Sequence, residues 1–118
     1  MSDTLSSTFE MPSELPSDPV LREFYPEFVQ RWLTDFEQQW PAIIGRGDVV
    51  ELRRFGHTIK GSFLQFGLRD MSQAGTKIMS CSDNNDWKGA GEIVASLRAA
   101  LLHLQSILPS IQSAGPGL

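Results

Sequence analysis

Hydrophobic residues recur along this chain at the spacing of one helix face, and nowhere at the alternation of a strand. Val29, Trp32, Leu33, Phe36 and Trp40 form a first stripe. Leu52, Phe55, Ile59, Phe63 and Phe66 form a second, confined to a sector of about 80° when Val49 to Phe66 is projected at about 100° per residue. Leu68, Met71, Ile78 and Met79 supply a third, and Ile93, Leu97, Leu101, Leu104 and Leu108 a fourth. Four apolar stripes separated by short polar segments predict an all-α fold, an antiparallel up-and-down four-helix bundle.

Punctuation residues set the boundaries. Ser17-Asp18-Pro19 offers a capping side chain followed by proline at a first helical position, which predicts a short extra N-terminal helix through about Phe24. Pro26 can start the next helix in the same way, and Pro41 should end or kink it. Gly45 to Asp48 reads as a turn with Asp48 capping the second long helix, and Gly67 ends that helix. Small residues Ala74 and Gly75 allow the third helix to come close to a neighbour. Ser82 to Asp86 is a polar loop with a cap at its end, and Pro109 stops the last helix. Residues 1–17, rich in Ser, Thr, Pro and acidic groups, read as a flexible tail, 18–112 as the bundle domain and 113–118 as a second tail.

The polar face of the second long helix carries the candidate chemistry. His57 lies roughly 160° from the centre of the buried stripe, with Arg53, Arg54, Lys60, Gly61 and Leu64 on its side. Glycine inside a helix costs roughly 1 kcal/mol relative to alanine, yet Gly56 and Gly61 both sit within four residues of His57. Gly56, nearer the stripe, suits tight helix packing, whereas Gly61 lies on the exposed face and lets a visiting surface approach the imidazole. Lys60, three residues on, can lean over the ring, where it repels an imidazolium but attracts a phosphoryl group carried on nitrogen.

His57-Thr58-Ile59-Lys60-Gly61-Ser62, followed by Phe66-Gly67-Leu68, resembles the H-x-x-K-G-S…G signature of histidine-containing phosphotransfer (HPt) domains of two-component phosphorelays. Helix lengths, the Gly47-Asp48 turn and the helical hairpin after it extend the similarity over about residues 18–111. Phe63, where many members have a small residue, and Phe66, where leucine is common, depart from the pattern without touching the reactive face. The resemblance implies that His57 accepts a phosphoryl group from a receiver-domain aspartyl phosphate and passes it to another receiver. The partners are then the receiver domains of a hybrid histidine kinase and of a response regulator. Lys60 would stabilise phosphate charge, Gly61 would give access, and Arg53, Arg54 and Leu64 would dock the receiver. It also implies that Mg2+ belongs to the receiver and that the chain has no cofactor or metal of its own.

Composition narrows the alternatives. The 118 residues suffice for one domain with a core and need no staple, and the single Cys81 reads as a packing residue. Net charge is −4 with no long basic stripe, which argues against nucleic acid. The N-terminus has no signal-like run and no stretch approaches the ~20 apolar residues of a membrane span, which suggests a cytoplasmic protein, expected as a monomer. No G-x-x-x-x-G-K loop is present, so ATP-dependent kinase activity is not expected and the chain reads as a phosphocarrier, not an enzyme. An exposed imidazole needs no dedicated base here, since phosphoryl transfer mainly requires alignment and charge neutralisation. His103, beside the last stripe and without a Lys-Gly pair, reads as a boundary or surface residue.

Two other readings compete. A helical adaptor would dock receiver domains without carrying phosphate, but docking alone requires neither His57 nor Lys60. A general-base enzyme would need a concave pocket at His57, where a helix exterior is convex.

Overall fold

Asp18 opens the first helix: its Oδ1 accepts from the Val20 N–H at 2.8 Å and Pro19 takes the first helical position. The computed structural model describes residues 9–113, which hold four α-helices and no strand. These are α1 (Pro19–Arg46), α2 (Val49–Gln65), α3 (Arg69–Asp83) and α4 (Trp87–Ser113).

The expected short leading helix is absent as a separate element. Pro26 and Pro41 both lie inside α1, which runs unbroken for 28 residues. An interior proline costs about 3 kcal/mol, but Tyr25 and Val29 are buried on either side of Pro26, and Phe36 and Ile43 on either side of Pro41. Each such side chain contributes roughly 1.5–3 kcal/mol when fully buried, enough to carry the helix across. The same holds at the other end of the chain. Pro109 does not stop α4, because Leu108 and Ile111 are both buried at 5% exposure and continue the stripe.

Three tight turns connect the helices. Gly47 takes φ 63°, donating to the carbonyls of Ile43 and Ile44, and Asp48 Oδ1 then caps α2 through the Val50 N–H at 2.9 Å. Gly67 takes φ 78°, and the Leu68 N–H returns to the Phe63 carbonyl at 2.9 Å, the closure expected of a left-handed helix end. Between α3 and α4 the left-handed position falls to Asn85 (φ 54°), after which Asp86 caps the Gly89 N–H at 2.9 Å. The polar loop is shorter than expected, since Ser82 is buried in the last turn of α3 and donates to the Met79 carbonyl at 2.7 Å.

Side-chain contacts fix the direction of three neighbouring pairs. Phe28 stacks on Phe66 while Trp40 stacks on Phe55, so α1 and α2 run antiparallel. Arg98 bonds Glu37 and Gln105 bonds Gln30, which makes α4 antiparallel to α1. Ser72 bonds Lys60 and Asp83 pairs with Arg53, which makes α3 antiparallel to α2.

The two sides of α2 are packed differently. Towards α1 the spacers are rings: Trp32 lies 6.1 Å from Phe55 and 5.3 Å from Phe63, centroid to centroid. Towards α3, at Gly56 and Gly75, the backbones themselves approach, with the Ile78 side chain packed beside them. A Cβ on Gly56 would lie 2.7 Å from the Gly75 carbonyl oxygen, and one on Gly75 would lie 2.6 Å from the Lys60 amide nitrogen. Backbone therefore meets backbone behind the His57 turn, and α2 is held tightly to α3 while a groove of about 460 Å³ opens along α1.

Within the segment expected as a tail, residues 1–8 lie outside the described residues. From Phe9 onward the chain lies on the bundle: Leu15 is buried, Phe9 and Met11 pack against the core, and the Glu10 N–H donates to Asp70 Oδ2 at 3.0 Å. Residues 114–118 of the expected C-terminal tail also lie outside the described residues.

Over Trp87–Ile111, α4 reaches a mean hydropathy of 1.2, making it long and apolar enough to cross a membrane by length and composition. No such stretch is expected from the sequence. Ala90, Val94, Leu97, Leu101, Leu104 and Leu108 on this helix face the core, which accounts for much of that apolarity.

Tyr25, the sole tyrosine, is 1% exposed and its hydroxyl has no hydrogen-bond partner among the described residues. Burial pushes its phenol up from 10.0 to about 12. The folded state thus keeps this proton where the unfolded chain has lost it, so stability is full below pH 10, falls as pH rises, and levels only above about 12. The ultraviolet absorbance of phenolate should appear only through that window or with unfolding. Tyr25→Phe should remove this part of the alkaline destabilisation at little or no cost near neutral pH, because it deletes a hydroxyl that bonds nothing.

Candidate functional site

The candidate site is the solvent ridge of α2. Leu52, Phe55, Ile59 and Phe63 are buried at 5% exposure or less, and their burial fixes the rotation of the helix. His57, Lys60, Gly61 and Leu64 consequently face outward, as do Arg53 and Arg54. Phe63 and Phe66 do not wall off the imidazole, since they pack inward against Phe28, Trp32 and Tyr25.

Gly61 has nothing within 4 Å of the position its Cβ would take, so it leaves open space beside the imidazole turn. Gly56, by contrast, is buried against Gly75. The two glycines flanking His57 thus serve opposite needs: one admits α3 and the other leaves the outer surface low.

The structure separates the two arginines. Arg53 is drawn across to α3, where Nη1 pairs with Asp83 Oδ1 at 2.6 Å and reaches the Met79 carbonyl at 3.5 Å. Both partners are about half exposed, so the pair contributes little to stability but orients the guanidinium. Arg54 has no ion-pair partner among the described residues and lines the α1–α2 groove with Trp32, Asp35, Gln39, Phe55 and Thr58. Thr58 donates its hydroxyl to the Arg54 carbonyl at 3.0 Å. His57 is not among the residues lining that groove.

Two residues that support the site were not singled out for it from sequence. Ser72, 5% exposed on α3, donates its hydroxyl to the Lys60 carbonyl at 2.7 Å, and Gly75 abuts the same residue's amide. The turn carrying His57 and Lys60 is therefore backed directly by α3. A serine among apolar neighbours was the available signal, but its partner lies twelve residues away across a turn.

His103 stands exposed on α4. Cys81 is buried, and its thiol is pushed up by that burial and by the charge of Asp86. Among the described residues, no group of three or more His, Cys, Asp or Glu side chains is placed to hold a metal ion.

The ridge thus presents an outward histidine followed one turn later by a lysine and an open glycine, on an all-helical bundle. The sequence model of the Hpt domain family matches residues 20–107, and the chain belongs to that family. No curated protein and no solved structure shows a significant match. Membership places the chain in histidine phosphotransfer within two-component phosphorelays, with receiver domains as interaction partners and a phosphocarrier rather than a kinase role.

Proposed function

We propose that this protein is a cytoplasmic, monomeric phosphorelay intermediate that takes a phosphoryl group onto His57 from one receiver domain and delivers it to another. The donor is the receiver of a hybrid histidine kinase and the acceptor that of a response regulator. The observation that carries this reading is the outward placement of His57 beside the open space at Gly61. An unprotonated ring nitrogen of His57 attacks phosphorus, the N–P bond forms as the P–O bond to the receiver aspartate breaks, and that bond's electrons stay on the departing carboxylate. The reverse step uses the same atoms.

Lys60 offsets part of the phosphoryl charge, and Arg54 draws the acidic receiver surface into register. The chain contributes no cofactor, and Mg2+ is held by the receiver. The test is a phosphotransfer assay with purified receivers from the same genome, expected to give acid-labile, alkali-stable label on this protein. Absence of label from every phosphorylated receiver, with the protein folded, would leave the adaptor reading in its place. Lys60→Met should lower the transfer rate by roughly 10- to 100-fold, a loss of about 1.4–2.7 kcal/mol of transition-state stabilisation, with little change in melting temperature. Rapid-quench kinetics at saturating receiver would measure it.

A further inference from the structure

Exposed aliphatic side chains are unevenly distributed around the site. On α2, Val49, Val50 and Leu64 are 36%, 61% and 52% exposed, whereas the exposed positions of α3 are polar or charged, among them Arg69, Gln73, Thr76, Lys77 and Ser80. Val50 precedes His57 by seven residues and Leu64 follows it by seven. Seven residues return a helix to within about 20° of its starting direction, so the three side chains stand on one line of the ridge. The helical rise places each aliphatic group about 10 Å from the histidine, on opposite sides.

Nothing in the fold requires a valine at position 50. Its amide is satisfied by Asp48 Oδ1, and its side chain is mostly in solvent. A β-branched residue is also a poorer helix former than the unbranched polar residues suited to such a position.

We infer that Val50 is a second apolar anchor for the receiver, matching Leu64 across His57, so that the visiting domain carries apolar contacts on both sides of its phosphoaspartate. This rests on receiver docking at His57. A stable interface covers about 800 Å² on each partner, a patch roughly 32 Å across, which when centred on His57 includes both residues with their separation of about 21 Å. Apolar contacts about 10 Å to either side of the imidazole add binding energy and hold the receiver in register without touching the transferring group.

The deciding variant is Val50→Asp. An acidic residue in the first turn favours the helix dipole, so the fold should be retained, as circular dichroism and a melt would show. The dissociation constant for the receiver should rise about tenfold, the scale of losing one buried valine contact. Transfer at saturating receiver and labelling of His57 by the small donor phosphoramidate should both be unchanged. Leu102→Asp, on an exposed leucine of α4, is the control and should leave receiver affinity unaltered. Wild-type affinity in the Val50 variant, equal weakening in both variants, or loss of a self-association dependent on Val50 would overturn the assignment. If phosphoramidate labels the wild-type protein but no receiver binds it or transfers to it, the relay reading itself falls, and the Val50 assignment with it.

Discussion

Replacing His57 with glutamine is expected to abolish phosphate uptake from a phosphorylated receiver while leaving the fold untouched. Glutamine has hydrogen-bonding capacity but no ring nitrogen with a free lone pair, so the N–P bond cannot form. The side chain is exposed, so no cavity results, and the change in stability should stay within about 0.5 kcal/mol. The chain has two histidines, which makes His103→Gln the natural control: it should take up phosphate like the wild type. Scintillation counting of gel-separated protein would read both results. Normal uptake by the His57 variant, or its loss in the His103 variant, would remove His57 from the mechanism.

The second large effect is a sign reversal between two glycines of the same helical region. Gly61→Ala should stabilise the protein by about 0.5–1 kcal/mol, because alanine is the better helix former and its methyl enters open space. Gly75→Ala should destabilise it by about 1–3 kcal/mol despite the same propensity gain, since its methyl would press on the backbone of Gly56 and Lys60, which cannot move aside as a side-chain tip could. At roughly 4 °C per kcal/mol for a domain of this size, thermal melts would resolve the two in opposite directions. Gly61→Ala should nonetheless slow transfer from a receiver, separating access from stability. A Gly75→Ala protein as stable as the wild type would show that α2 and α3 do not meet backbone to backbone.

Much of this site was readable without coordinates because a helix is a strict periodic object. Once Leu52, Phe55, Ile59 and Phe63 are assigned to the core, the outward direction of His57, Lys60 and Leu64 follows from angle alone. Val50 was accessible by the same arithmetic but lay outside the short motif. Prolines misled for a related reason. Pro26, Pro41 and Pro109 carry a local cost that favours a helix break, whereas the buried residues flanking them are evident only when the opposing helices are in place.

The sequence by itself determined the four apolar stripes, the caps at Asp18, Asp48 and Asp86, and the face on which His57 stands, all of which depend on residues close together in the chain. Only the tertiary structure decided that Gly56 meets Gly75, that Ser72 holds the Lys60 carbonyl, that Arg53 is engaged by Asp83 while Arg54 lines a groove, and that Leu15 is covered. Those pairings depend on which helix faces which and at what distance, set by the summed packing of rings on one side of α2 and the glycine-to-glycine approach on the other, and no local pattern encodes that sum.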